Sequence, residues 1–270
     1  MTLITVEKII EPNKNGRTHP FTVLCSDGLE YVIKMKNDFT NTHKVEFNEL
    51  IAYRLAKLMN LSIPTAKIVC LPQSIIDSDA NLSSIQAVSG PCFASELRRG
   101  TTALTRDLFN AAKNLNEIPS MFLFDEIILN DDRWSNWGNL FYDVNSSKIL
   151  LIDHSDIFKN GQIWTSYELN SYQCLPPTTV SLDGRNYEIA KDYVKGSAPF
   201  ESIEKIINSL SDIQVNDLFK NIPLEWKKNT EDVSTEDIIE CKKFVLFQLR
   251  NYSSILTEIH KYFPSWKGGK

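Results

Sequence analysis

Asn130–Asn139 reads NDDRWSNWGN, and nine residues further on, from Lys148, comes the apolar run KILLIDHSDIF. Asp131, Asp132, Arg133, Asn136, Gly138 and Asn139 fall within one short polar stretch. Carboxylates and amides so close together suit magnesium-dependent phosphoryl transfer, where one carboxylate serves as base and other oxygens hold the metal. They also suit an ordinary polar loop, so the neighbouring segments decide between the two. In the second run, Asp153 follows Leu150, Leu151 and Ile152 at the end of a strand-like segment. A carboxylate there is costly to bury unless it is paired or metal-bound. The plain alternative is an aspartate capping a turn.

A phosphotransferase needs four further parts: a cover over the phosphates, a strand lysine, a helix glutamate that holds that lysine, and a metal-binding amide. NKNGRTHP (Asn13–Pro20) is a candidate cover, in which Gly16 exposes its backbone N–H and Arg17 and Thr18 add donors. A single glycine in a polar turn is a weak signal. FTVLCSD (Phe21–Asp27), Gly28 and EYVIKMK (Glu30–Lys36) read as a β-hairpin with Asp27-Gly28 as a two-residue turn. Alternation puts Val32, Lys34 and Lys36 on one face and Tyr31, Ile33 and Met35 on the other. Lys34 therefore fits either a solvated strand face or a phosphate contact. A helix near Val45–Met59 carries Phe47, Leu50, Ile51, Leu55 and Leu58 at the 3.6-residue period, and Asn60 is its expected stop. Glu49 lies away from that stripe, beside Ala52 and Ala56. It is either a solvated glutamate or one that the small alanines bring close to a partner.

AKIVCL (Ala66–Leu71) and SIQAV (Ser84–Val88) read as strands, and the composition changes after GPCFASELRRG (Gly90–Gly100). Helical patterns follow at Thr105–Leu115, Ser120–Leu129, Phe200–Leu210 and Thr235–Phe263. A strand-rich part followed by a helix-rich part predicts an α+β, two-lobed arrangement. The division falls near Leu97–Thr102, giving residues 1–97 and 98–270.

At 270 residues the chain is long enough for two lobes. Its 42% hydrophobic and 23% charged residues are those of a globular protein, and a net charge of −5 gives no support for non-specific nucleic-acid binding. No apolar run approaches the roughly 20 residues of a membrane span. The N-terminal residues lack a signal-peptide layout. Cys25, Cys70, Cys92, Cys174 and Cys241 are dispersed, which predicts reduced thiols and a cytoplasmic location.

These segments, in this order, resemble the HipA-like kinases. The resemblance rests on Asn130, Asp132, Arg133, Asn139, Leu140 and Ile152-Asp153-His154, on DGLEYVIKMK, on NELIAYRLAKLMNLSIP and on GPCFASEL, which resembles the family's connector between lobes. It covers about Gly16–Phe158. The Asp-Arg start is also similar to that of phosphoinositide kinases.

The resemblance implies a two-lobed protein-kinase-like fold with ATP and Mg2+ as cofactors. It implies that Lys34 contacts the α/β-phosphates and Glu49 orients it. It makes Asp132, next to Arg133, the catalytic site, and Asp153 a metal ligand. The loop from Gly16 through Arg17 and Thr18 would cover the phosphates, and Phe93, Ser95 and Glu96 would meet the adenine. The family has asparagine where Trp137 stands, so Asn136 or Asn139 would supply the metal amide. Asn136, four residues after Asp132, is slightly favoured over Asn139 because the usual spacing is five.

The expected substrate is a protein with a serine or threonine acceptor, and a cognate regulatory or antitoxin protein is the expected partner. Direct nucleic-acid or membrane binding is not expected. Trp137 favours a second reading, a pseudokinase that binds nucleotide or protein. The Asp-Arg loop suggests a third, a lipid or small-molecule kinase, although the chain shows no basic membrane patch.

Overall fold

The computed structural model describes residues 3–13 and 16–267. Residues 6–96 build an antiparallel five-stranded sheet from β1 (Val6–Pro12), β2 (Phe21–Cys25), β3 (Glu30–Lys34), β4 (Ala66–Leu71) and β5 (Gly90–Glu96). Helix α1 (Lys44–Leu58) follows β3, while α2 (Gln73–Ser78) and α3 (Ala80–Ser84) join β4 to β5. The spatial order is β1-β2-β3-β5-β4.

The β2–β3 register pairs Leu24 with Glu30 and Phe21 with Ile33. The Gly28 N–H closes the turn on the Cys25 carbonyl at 2.8 Å, and Cys25 N–H bonds the Leu29 carbonyl at 3.0 Å. Three residues, Ser26–Gly28, therefore make the turn, not two. Gly28 takes φ 77°, where a side chain would be strained.

Alternation along β3 holds. Tyr31, Ile33 and Met35 are buried in a small core with Phe21, Val23, Val69 and Ala94. Lys34 turns to the opposite face.

Helix α1 ends as its sequence predicts. Asn60 adopts φ 57°, its N–H bonds the Lys57 carbonyl at 3.2 Å, and Leu61 N–H bonds the Ala56 carbonyl at 2.9 Å. This paired closure satisfies carbonyls that would otherwise lack donors.

Two expectations are corrected. Ser84–Val88 is not a strand. Asp79 caps α3 by accepting from Asn81 N–H and Leu82 N–H, and a turn follows with Gln86 at φ 50°. Ile85 and Ala87 are buried while Gln86 and Val88 are exposed, so a turn imitates period-two alternation. Gly90–Glu96 is not a bare connector but the interior strand β5, paired with both β3 and β4.

The helical remainder starts with a three-stranded sheet of β6 (Gly100–Thr101), β7 (Leu140–Asp143) and β8 (Lys148–Leu151). Helices α4 (Arg106–Ala111) and α5 (Ile118–Ile127) lie between β6 and β7. Then come α6 (Ser166–Ser171), α7 (Arg185–Ala190), α8 (Glu201–Ser209), α9 (Asp212–Asp217), α10 (Thr235–Arg250) and α11 (Tyr252–Ile259). The expected helix over Thr235–Phe263 is broken at Asn251, whose side chain bonds the Phe247 carbonyl at 2.8 Å.

Every residue of α5 is buried, and α8, α10 and α11 pack on it. Its end repeats the closure of α1. Leu129 sits at φ 49°, with Leu129 N–H on the Glu126 carbonyl and Asn130 N–H on the Asp125 carbonyl at 2.8 Å. That closure launches the polar stretch that follows.

Candidate active site

Between the two sheets lies a cavity of about 340 Å³, within the range of small-ligand sites. Val32, Tyr53, Phe93, Leu151 and Ile152 give it apolar walls, and Ser95 and Glu96 stand at one side. Lys34, Glu49, Asp153 and His154 form its polar end.

Lys34 is 7% exposed. Its Nζ donates to Glu49 Oε1 and, at 2.7 Å, to Asp153 Oδ1. Glu49 Oε1 also accepts the His154 backbone N–H at 2.9 Å. Burial opposes charge on all three side chains, and their mutual attraction outweighs it. The Lys34 ammonium is held well above its ordinary range by Asp153 and Glu49. The Glu49 and Asp153 carboxyls are held below theirs, chiefly by Lys34.

Asp153 stands at φ 55°, a conformation that aspartate tolerates better than bulkier residues. Ser155 Oγ fixes its carboxylate at 2.7 Å. The His154 ring is buried, with Nδ1 3.4 Å from Glu49 Oε2. Burial first, and then the Arg133 charge, push its pKa down to about 4. The ring is therefore neutral at pH 7 and buttresses Glu49.

Asp132 lies on the loop after α5. Its Oδ2 accepts from Asn139 Nδ2 at 2.7 Å and from Asn136 Nδ2 at 3.2 Å. Both amides expected near the metal thus converge on the expected base. Asp131 is exposed at the neighbouring position.

Arg133 departs from its expected place. It is 0% exposed, so it cannot meet a substrate. Its Nε bonds both Asp125 oxygens at 2.9 and 3.0 Å, and its Nη1 donates to the Asn139 and Ile152 carbonyls. It fastens the Asp132 loop to the strand that leads into Asp153. Arg133 is a positioning residue because its fork serves two backbone segments at once.

Arg17 and Thr18 lie beside the turn after Asp153, while Lys14 and Asn15 of the expected cover fall outside the described residues. Arg17 and Thr18 line a separate recess with Ser155 and Asp156 rather than the apolar cavity. Arg17 Nη2 is 2.6 Å from Asp156 Oδ2. Burial raises the Asp156 pKa, and the nearby Asp132 and Asp153 charges push the same way.

Sequence reading missed Asp156, Asn48 and Asp125. Asn48 Nδ2 bonds the Ser155 and Gly161 carbonyls at 2.8 and 2.9 Å, tying α1 to the segment after Asp153. Asp125 had a usable signal. It is half of an Asp-Glu pair inside the otherwise apolar run FLFDEIIL, which calls for a buried partner.

Residues 6–254 match the family model of the HipA-like kinase. In structure the chain is similar to the Helicobacter pylori proinflammatory kinase CtkA, at 12% identity, with 93% of this chain and 96% of that chain covered and a TM-score of 0.53. It is also similar to the Golgi casein kinase with Mn/ADP bound, at 8% identity, 97% and 74% coverage and a TM-score of 0.47. A further similarity is to HipA of the Shewanella oneidensis MR-1 toxin–antitoxin system in complex with HipB and operator DNA, at 12% identity, 97% and 67% coverage and a TM-score of 0.45. No curated protein matches by sequence. The CtkA likeness shows a kinase fold, and the family match runs from β1 into α11: the chain belongs to the HipA-like kinase family.

Proposed function

We propose that the protein is an ATP- and magnesium-dependent phosphotransferase acting on serine or threonine hydroxyls of a protein. The observation that carries this reading is Lys34, held between Glu49 and Asp153 at the polar end of an apolar cavity. Adenine lies against Val32, Phe93 and Leu151, beside Ser95 and Glu96. The phosphates reach Lys34 under the Gly16–Thr18 loop. Residues 1–97 and 98–270 act as two lobes of one kinase domain.

Asp132 takes the proton of the acceptor hydroxyl, oriented by the two amides that bond it. Asp153 and one amide offer the hard oxygen donors that magnesium prefers. Asn136 Oδ1 already accepts the Gly138 N–H at 3.0 Å, whereas Asn139 is buried with its Nδ2 on Asp132. That geometry moves the preference from Asn136 to Asn139. Magnesium, when bound, neutralises charge on the transferring phosphates. Trp137 is 54% exposed and stacks under Arg185, so it leaves the Asp132–Asp153 region open.

A regulatory or antitoxin-type partner is proposed from family membership. The buried thiols of Cys25, Cys92 and Cys241 are unpaired, which supports a reducing cytoplasm. Among the described residues, no helix is long and apolar enough to cross a membrane.

The test is transfer of labelled phosphate from ATP with magnesium. Asp132→Asn should lose about 10²–10⁴-fold in turnover while still binding nucleotide. Full activity of that variant, with loss in Asp131→Asn, would overturn the assignment of the base.

A further inference from the structure

Asn186 is 3% exposed, far along the chain from the Asp132 loop, yet its side chain is spent on that loop. Its Nδ2 donates to the Arg133 carbonyl at 2.9 Å and to the Asn136 carbonyl at 2.8 Å. Both hydrogens of one buried amide are thus committed to two carbonyls of the segment that carries Asp132, Asn136 and Asn139.

Its neighbours reach the same loop. Gly184 lies at φ 86°, and a Cβ placed there would stand 2.7 Å from Ser135 Cα and 2.8 Å from the Trp134 carbonyl oxygen. Glycine alone satisfies both the backbone and that approach. The Arg185 guanidinium sits 3.8 Å from the centre of the Trp137 ring, a stacked cation–π contact. Consecutive residues Gly184, Arg185 and Asn186 therefore grip the loop at Trp134–Ser135, at Trp137, and at Arg133 and Asn136.

We propose that Gly184-Arg185-Asn186 is a positioning clamp for phosphoryl transfer, setting where Asn136 and Asn139 meet Asp132. The inference rests on the phosphotransferase reading above. None of the three residues lines the cavity that ends at Lys34. Arg133 fixes the inner side of the loop from the core, and the clamp fixes its outer side. A loop held on one side alone would still fold but would present Asp132 and its amides in a spread of positions. Misplacement of about 1 Å can cost up to about 100-fold in rate. The clamp also gives Trp137 a role: it is the ring on which Arg185 rests.

The test measures two things on the full chain. One is phosphate transfer from Mg-ATP to dephosphorylated casein. The other is amide hydrogen exchange over residues 133–139. Asn186→Ala should lower kcat by about 10- to 100-fold with KM for ATP within about twofold. It should speed exchange over 133–139 by about tenfold while the five-stranded sheet stays protected. Asn186→Asp should fall below Asn186→Ala, because a carboxylate would then face two carbonyl oxygens. Arg185→Ala should lose less than either, since it leaves the amide bonds in place.

Wild-type kcat and wild-type loop exchange in Asn186→Ala would overturn the clamp. So would exchange raised evenly through the helical half, which marks an ordinary structural residue. If wild-type protein transfers no phosphate with Mg-ATP, the phosphotransferase reading fails by itself, and loop exchange still decides whether Asn186 holds the loop.

Discussion

Lys34 and Arg133 are both buried cations held by carboxylates, but their partners come from different places. The partners of Lys34 come from α1 and from the turn after β8, 15 and 119 residues away. One of them, Asp153, keeps 36% of its side chain exposed. The partner of Arg133 is Asp125, eight residues earlier on α5, and both side chains are sealed from solvent. Arg133 Nη1 donates to two backbone carbonyls, while its buried Nη2 has no partner among the described residues. The roof of the site is thus a charge balance between elements, open to exchange with an incoming phosphate or cation. Its floor is preset before any ligand arrives.

Removing Arg133 should be the most damaging change. Arg133→Ala leaves Asp125 buried and uncompensated and frees two carbonyls, at a cost of about 3–5 kcal/mol. Denaturant unfolding should show that loss, and activity should go with it. Arg133→Lys should recover little, because an ammonium cannot reproduce the fork. An Arg133→Ala protein of wild-type stability would break the contrast between floor and roof.

Lys34→Ala comes next. Its removal leaves the Glu49 and Asp153 carboxylates without their shared cation. A loss of about 2–4 kcal/mol follows, reduced from the fully buried case because Asp153 is partly solvated. Turnover should fall about 100-fold or more. The pH dependence has a definite sign. Glu49 and Asp153 are depressed in the fold, so their contribution is present above about pH 4 and is lost as the pH falls further. Acid unfolding of wild type and Lys34→Ala should therefore converge at low pH.

The roof was legible in the sequence because period-two and period-3.6 patterns fix which way Lys34 and Glu49 point. Lys34 faces away from Tyr31 and Ile33, and Glu49 away from Leu50 and Ile51, which left each with either a solvated face or a partner across a cleft. The Asp132 loop was legible as a composition, and Asp153 as a carboxylate at a strand end. The role of Arg133 was not, because its partners are mainly carbonyls, which every residue carries. For the same reason Asn186 gave no signal: its bonds to Arg133 and Asn136 depend on the path of the chain between them. Ser84–Val88 misled because a buried turn alternates as a strand does.

Glu126 sharpens the comparison as a buried carboxylate that has no cation among the described residues. Its Oε2 accepts the Val180 N–H at 2.9 Å, and its Oε1 has no partner among the described residues. Burial, reinforced by the Asp125 charge, raises its pKa to about 8. The folded state therefore binds a proton that the unfolded chain releases near pH 4.3, and stability falls as pH rises between those values. Glu126→Gln mimics the protonated form. Between pH 5 and pH 8 it should lose less stability than wild type. Parallel pH–stability curves would mean that Glu126 stays charged and has found a cation.

The smallest effect belongs to the contact that spans roof and floor from outside. Arg17 pairs with Asp156 at 2.6 Å, but its side chain is 79% exposed. Such a pair is worth about 0–1 kcal/mol and weakens with salt. Arg17→Ala should leave unfolding within that margin. Its consequence should appear in nucleotide affinity, because Arg17 is the cation that the Gly16–Thr18 loop brings toward Asp132, Asp153 and Asp156. A rise of about 3- to 10-fold in KM for ATP, shrinking at high salt, is expected from one exposed charge. The Lys34→Ala loss should persist in salt, since Lys34 is buried. If salt abolished both effects equally, the roof would be as solvated as the loop above it, and the distinction between a sealed floor and an exchangeable roof would rest on Arg133 alone.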